Sequence, residues 1–178
     1  MIVYHSIDTP VDFITVIASR NALVRINFSS EVSAADHAYL ERYFNMRELA
    51  HEPHHPVIES VVIQLLEYFG GSRRQFDIPV DARGTEFQMR VWRALMKIPY
   101  GKTVSYGQLA ENLDSSARAV GSANGKNPVP IIIPCHRVIG ADGTLHGFGG
   151  GLDKKQALLK LEGAVFSTVA LQPTLELG

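Results

Sequence analysis

Among the 178 residues a single cysteine occurs, Cys135, and a histidine follows it directly. A thiol attacks as its thiolate, and a reference pKa of about 8.5 leaves it mostly protonated at neutral pH. His136 is a ring that titrates near neutrality and could take that proton. Arg137 adds positive charge beside the thiol. The plainer alternative is that Cys135 is one more small buried hydrophobe, the usual fate of a free cysteine. Ile131-Ile132-Ile133-Pro134 leads into it. Three isoleucines in a row read as a short, fully buried segment rather than a half-exposed strand. Pro134 removes a ladder donor and fixes the angle at which the chain enters Cys135. Burial on its own raises a thiol's pKa, so a reactive role requires a base within reach.

The elements that must position this strip are helical. Thr85 with Gln88 forms a capping box, and Phe87, Val91, Leu95 and Ile98 then share one face, with Trp92 read as core packing. Pro99-Tyr100-Gly101 ends that helix. Ser105 with Gln108 opens a second, Tyr106 to about Asn112, and Asp114-Ser115-Ser116 breaks the chain and caps a third, Ala117 to about Asn124. Two short helices around a tight polar turn give the outline of a helix-turn-helix. The third helix is nearly bare: Ala117, Ala119, Gly121, Ser122 and Ala123 surround Arg118 and Val120. A glycine inside a helix costs about 0.5–1 kcal/mol. Close packing on the protein's own core would explain that, and so would a helix lying in a DNA groove with Arg118 as its one long projection.

Further on, Asn127-Pro128 turns the chain back, and His146 to Gly151 is glycine-rich. That loop lacks the GxxxxGK[ST] order of a phosphate loop, so no nucleotide cofactor is expected. Asp153 with Gln156 is expected to cap a last helix, closing at Glu162-Gly163. Glu162 is either an exposed helix end or, because the dipole there disfavours negative charge, a buried functional group.

The first half reads differently. Val3 to Ile7, Phe13 to Ala18 and Leu23 to Phe28 are expected strands, Ser33 to about Asn45 a capped helix, and Val57 to Phe69 a second helix closed by Gly70-Gly71. His51, His54 and His55 fit no zinc template, so the segment 50–56 is expected to be a loop and no metal is expected. Gln75 to Val80 reads as one more strand. The polar stretch 81–84 is then a linker between an α/β domain (1–80, a small sheet with helices) and a mostly α domain (85–178) containing the helix-turn-helix.

Residues 1–82 hold 6 Lys and Arg against 11 Asp and Glu, a balance of −5, whereas 83–163 hold 11 against 6, a balance of +5. An acidic half joined to a basic half suits a protein with one part facing phosphates. No run approaches the roughly 18 apolar residues of a membrane span. No secretory signal is visible, and the lone cysteine suits a reducing cytoplasm. The stretch 164–178 has no clear pattern and is expected to be partly disordered.

Pro134-Cys135-His136-Arg137-Val138, preceded by Arg118-Ala119-Val120-Gly121 and Asn127-Pro128, resembles the active-site signature of the O6-alkylguanine-DNA alkyltransferases. The resemblance runs from Phe87 to Gly163, nearly half the chain. Related non-catalytic proteins carry tryptophan or another residue at the cysteine, so Cys135 argues against that branch. The resemblance implies a scaffolding N-terminal domain and a helix-turn-helix in the minor groove, with Tyr106, Ser115, Arg118 and Ala119 on the DNA. It implies that Arg118 fills the stack left by an everted alkylguanine, and that Asn127 ties the helix-turn-helix to the active-site segment.

The base pocket it implies is walled by Tyr106, Val138 and the loop with Phe148, Gly149 and Gly150, where many relatives have tyrosine in place of Phe148. It implies a relay Cys135–water–His136–Glu162, with Tyr106 as proton donor to the departing base. The implied activity is that of a methylated-DNA–[protein]-cysteine S-methyltransferase. It repairs O6-alkylguanine and O4-alkylthymine in duplex DNA once per molecule, as a cytoplasmic monomer without cofactor. Two rivals stand beside it: a damage sensor that binds DNA without chemistry, and a cysteine hydrolase using Cys135, His136 and Glu162. Side chains of adjacent residues bond each other awkwardly, which disfavours the hydrolase.

Overall fold

The computed structural model describes residues 1–167. The expectation for the tail beyond Ser167 lies outside the described residues. The chain opens with three antiparallel strands, β1 (Ile2–Asp8), β2 (Phe13–Ala18) and β3 (Leu23–Asn27). Helix α1 (Ala34–Phe44) follows, then a short strand β4 (Leu49–His51) and helix α2 (Pro56–Phe69). The sheet order is β3-β2-β1-β4, with β4 parallel to β1. The segment expected to be an open loop thus contributes an edge strand, and His51 meets His5 across it at 3.1 Å.

Both faces of this sheet are covered, which is why β2 buries every residue from Ile14 to Ala18. One face, with Ile17 and Val24, packs on Leu40 of α1. The other, with Val3, Ile14 and Val16, packs on Ile58, Val61 and Leu65 of α2. Ser33 caps α1 as expected, and Asp36 closes a capping box with it; the buried Asp36 carboxylate also takes Arg25 and Asn27 of β3. Pro56 occupies the first turn of α2, where its missing N–H leaves nothing unsatisfied.

No strand forms over 75–80; only Val80 bridges Leu23. Gln64 of α2 takes the strand partner's place. Its side chain bonds both the N–H and the C=O of Asp77 (2.8 and 2.9 Å), and Pro79 has no N–H to offer a ladder.

After 81–84 the chain is helical: α3 (Glu86–Leu95), a two-residue strand β5 (Val104–Ser105), α4 (Tyr106–Asn112) and α5 (Ala117–Gly125). A 3-10 turn over Cys135–Arg137, strand β6 (Val138–Ile139) beside β5, and α6 (Leu152–Leu161) complete it. The capping boxes Thr85–Gln88 and Ser105–Gln108 are both formed, each side chain bonding the other residue's backbone. Asp153–Gln156 is not one: α6 begins after Gly151, whose φ of 97° sets the cap, and Asp153 lies in the first turn instead. Trp92 is core, 3 % exposed, and its indole N–H closes on the Ala123 carbonyl at 2.9 Å. One hydrophobic cluster runs from Val3 through Tyr68 to Leu158, so the sheet half and the helical half share a core.

Candidate active site

The isoleucine strip is buried, and its backbone is not a strand. Ile131 has φ of 75°, a left-handed conformation that a β-branched residue adopts at a cost of about 1–3 kcal/mol. The surroundings enforce it. Ile133 N–H bonds Val129 O at 2.9 Å, and the Asn127 side chain bonds Ile133 O at 2.7 Å and Val129 N–H at 3.0 Å. Asn127 therefore staples the segment after α5 to the approach to Cys135. Asn124 of α5 adds a bond to the Cys135 carbonyl at 3.3 Å.

Cys135 is 4 % exposed. Burial pushes its thiol up to about 11, partly countered by a hydrogen bond from Asn127, so at neutral pH it needs a base. His136, the next residue, is a fully buried titratable ring. Burial holds the ring below the usual histidine range, and its Nε2 lies 2.7 Å from Glu162 Oε1. Burial would raise the Glu162 carboxyl, yet the hydrogen bonds from His136 and Arg137 hold it well below the carboxylate range. An ionised carboxylate only accepts, so Nε2 carries the ring proton and Nδ1 keeps a free lone pair. Nδ1 is buried with no hydrogen-bond partner among the described residues. The ring is thus a neutral base with its acceptor nitrogen unengaged.

Glu162 is the most heavily bonded side chain of the site. Arg137 reaches both its oxygens (Nε 2.9 Å, Nη2 3.0 Å), Tyr68 donates at 2.7 Å, and Gly101 N–H at 3.2 Å. Gly101 has φ of 73°, and a Cβ there would fall 2.7 Å from the Glu162 carbonyl, so the close pass requires glycine. Arg137 also donates to Ile98 O at 2.6 Å. Its charge therefore serves Glu162 rather than the thiol beside which the sequence places it.

On the other side of Cys135 lies a cavity of about 140 Å³, lined by Asn127, Pro130, Phe148, Gly149 and Gly150 together with Arg25 to Phe28 of the sheet half. An open, mostly apolar groove of about 470 Å³ adjoins it, between α5 (Ala117, Gly121, Gly125), Tyr106 and the loop 146–149. Val138, expected as a pocket wall, lines neither: it is wholly buried, paired with Val104 in the two-stranded ladder. The Tyr106 hydroxyl donates to the His146 carbonyl at 3.0 Å, and burial pushes its pKa up to about 12. Lys155, with no exposed surface, donates to the same carbonyl at 2.6 Å and to the Tyr106 oxygen at 3.3 Å. It has no carboxylate partner among the described residues, and burial lowers its pKa to about 8. The loop is held from the sheet half as well: Phe28 packs on Phe148 with ring centres 5.6 Å apart, and Lys154 pairs with Asp12 at 2.9 Å.

Arg118, in the first turn of α5, is exposed and has no ion-pair partner among the described residues; Ser115 and Ala119 beside it are half-buried. The small residues of α5 split between two tasks. Ala123 packs inward with Val120, whereas Ala117, Gly121 and Gly125 floor the open groove. Four residues of the site were not singled out from the sequence. Tyr68 and Gly101 lie 94 and 61 positions from Glu162, with no local motif linking them. Asn124 hides among small helix residues, and a lysine on an amphipathic helix reads as solvated.

The two halves are each matched by a family model. Residues 86–164 match the 6-O-methylguanine DNA methyltransferase DNA binding domain, and residues 2–82 the ribonuclease-like domain of the same proteins. A methylated-DNA–protein-cysteine methyltransferase of Mycobacterium tuberculosis is 43% identical over 164 residues, covering 91% of this chain and 93% of the relative. The inducible one of Bacillus subtilis is 48% identical over 107 residues, 59% of this chain and 60% of its own. Among solved structures, the O6-methylguanine methyltransferase of M. tuberculosis superposes with a TM-score of 0.79 at 41% identity, covering 92% of this chain and 93% of that one. The M. tuberculosis protein in complex with DNA gives 0.78 at 42%, covering 90% and 92%. A thiol, its buried base and a bare helix beside an open groove thus stand on a backbone matched along nearly its whole length, and the chain belongs to the 6-O-methylguanine DNA methyltransferase family.

Proposed function

We propose that this protein repairs duplex DNA by moving the alkyl group of O6-alkylguanine, and of O4-alkylthymine, onto Cys135, once per molecule. The observation that carries the reading is His136: fully buried, its Nε2 fixed on an ionised Glu162 and its Nδ1 left free beside the thiol segment. A DNA-binding sensor has no use for such a base, and this disfavours the reading without chemistry.

In the proposed reaction the Cys135 proton passes through a water to His136 Nδ1, and Glu162, held in place by Arg137, stabilises the imidazolium that forms. The thiolate sulfur bonds the alkyl carbon as the carbon–O6 bond breaks, and the electron pair stays on the guanine. Tyr106 protonates or hydrogen-bonds that leaving base once its hydroxyl turns from the His146 carbonyl. Phe148 supplies no hydroxyl, so the loop wall acts by shape. The alkylated base reaches the thiol by eversion, since its exocyclic oxygen is not attackable inside the stack. Arg118 enters the space left behind, with Ser115 and Ala119 against the DNA. The product is a thioether, which has no carbonyl for water to attack, so Cys135 stays alkylated.

The reaction draws on no cofactor. The boundary at 81–84 divides a scaffolding half from the half that carries the chemistry and the DNA-binding helices. Among the described residues no helix is long and apolar enough to cross a membrane. A monomer in the reducing cytoplasm, where its one thiol stays free, suits the activity. Incubation with methylated duplex DNA followed by intact mass tests the whole reading. One added methyl group per molecule, located at Cys135 and absent from Cys135→Ser, is expected. Turnover well beyond one equivalent, or no mass change, overturns it.

A further inference from the structure

At the far end of α5 from Arg118, a cleft of about 410 Å³ opens between α1 and α3. Four cations line it, Arg25, Arg42, Arg83 and Lys126, and no carboxylate does. Two of them, Arg25 and Arg42, come from the stretch 1–82, where 6 Lys and Arg stand against 11 Asp and Glu. Two of the four are already neutralised from behind: Arg25 by Asp36, and Arg83 by both oxygens of Asp81 at 3.0 and 2.7 Å. Arg42 and Lys126 are exposed and have no carboxylate partner among the described residues. Aromatic rings hold three of the guanidinium groups in place: Arg25 lies 5.0 Å over Tyr39, Arg42 5.3 Å over Tyr43, and Arg83 4.0 Å over Phe44. A stacked guanidinium keeps its N–H edge free for an oxyanion.

The cleft is continuous with the proposed DNA track. Gly125 lines both the cleft and the open groove, and Arg25, Gly125 and Asn127 line both the cleft and the cavity at Cys135. From Ala117 to Gly125 the helix rises about 12 Å at 1.5 Å per residue. That equals between three and four base-pair steps of roughly 3.4 Å. A duplex with Arg118 in its stack at one end of α5 therefore carries a sugar-phosphate backbone past the other end. The C-terminal dipole of α5 disfavours an anion there, and two unpaired cations outweigh its half charge.

We propose that this cleft is a phosphate-binding site for the backbone of duplex DNA, so that the sheet half, through Arg42, shares the DNA contact with Lys126. The proposal rests on the DNA-repair reading above. It is tested by binding of the full-length protein to an unmodified duplex across a series of salt concentrations. Each phosphate contact contributes about 0.9 to the slope of log Kobs against log salt.

Arg42→Gln and Lys126→Gln should each reduce that slope by about 0.9 and weaken binding several-fold near 0.1 M salt. Arg42→Lys should restore the slope, because a phosphate contact needs the charge. Arg47→Gln, whose arginine is exposed, paired with Glu41 and outside the cleft, should leave it unchanged. Thermal melts of each variant check that the fold persists. An equal loss in Arg47→Gln would reduce the effect to overall charge and overturn the proposal. Stabilisation by millimolar inorganic phosphate with unaltered DNA slopes would make this a small-anion site and overturn it too. Wild-type protein that binds duplex and takes up methyl groups, with cleft variants identical to it, overturns this proposal alone. Wild-type protein that does neither overturns the functional reading as well.

Discussion

The two sides of Cys135 are built on opposite terms. On the relay side, Glu162 is buried and receives donors from His136, Arg137, Tyr68 and Gly101, so nothing there can move without stranding a charge. On the base side, the loop 146–151 is glycine-rich and largely exposed. It is held by the ammonium of Lys155, one ring contact to Phe28 and the Asp12–Lys154 pair. Proton transfer tolerates little displacement, whereas a pocket for an everted base must open and close. The difference teaches where variation is tolerable: damage to the relay should abolish function and fold together, damage to the loop should tune the reaction.

The sharpest way to break that contrast is at Glu162. Glu162→Ala leaves the Arg137 guanidinium buried and unpaired, which should destabilise the fold by about 3–5 kcal/mol. Glu162→Gln keeps the shape and should lower the single-turnover rate by roughly 10²–10⁴, the range for lost general-base assistance. Stability against pH reads the same group. Its folded pKa lies below the unfolded value of about 4.3. Its contribution is therefore complete above that value and is lost as pH falls through the lower folded one. Wild-type protein should lose stability below about pH 4, and Glu162→Gln should lack that part of the acid limb. A loop-like tolerance at Glu162 would erase the distinction between the two sides.

A smaller effect is expected at Arg118. Arg118→Ala should slow repair in duplex DNA far more than reaction with the free modified base, measured as two single-turnover rates. Equal losses would remove the eversion argument. Tyr106→Phe should slow transfer about a hundredfold or less, with the melting temperature little changed, since Lys155 keeps its bond to the His146 carbonyl when the hydroxyl is lost. The smallest effect is expected at Phe28→Ala. Loss of its ring contact is worth about 0.5–1.5 kcal/mol beyond lost burial. It should change the ratio of benzyl to methyl transfer several-fold, because Phe28 closes the cavity at Cys135 behind Gly150. An unchanged ratio would mean the sheet half does not shape the pocket.

Much of the site was legible because it is local. Residues 131–138 announce a rigid buried thiol beside a titratable ring, and the cap at Ser33 and the boxes at Thr85 and Ser105 announce helix starts, since capping is settled within four residues. What failed was settled at long range. Residues 75–80 look like a strand until the side chain of Gln64 takes their hydrogen bonds. Val138 was placed in the pocket by resemblance, but its pairing with Val104 turns it inward. Lys155 carries no mark of burial in its neighbours, because its partners are carbonyls of a loop that the chain brings back over it.

The bond from Tyr68 to Glu162 crosses from the sheet half into the proposed proton path. A fragment starting near residue 85 would keep the nucleophile, the base and the reading helix. It would also open the Glu162–Arg137 pair to solvent where α2 now covers it, and water there would compete for the carboxylate that fixes the His136 tautomer. Its nucleophile would then behave as an ordinary buried cysteine, slow at neutral pH, on a domain still able to grip DNA. On the proposed mechanism, the smallest working unit of this protein would be set by a tyrosine hydroxyl in its first half.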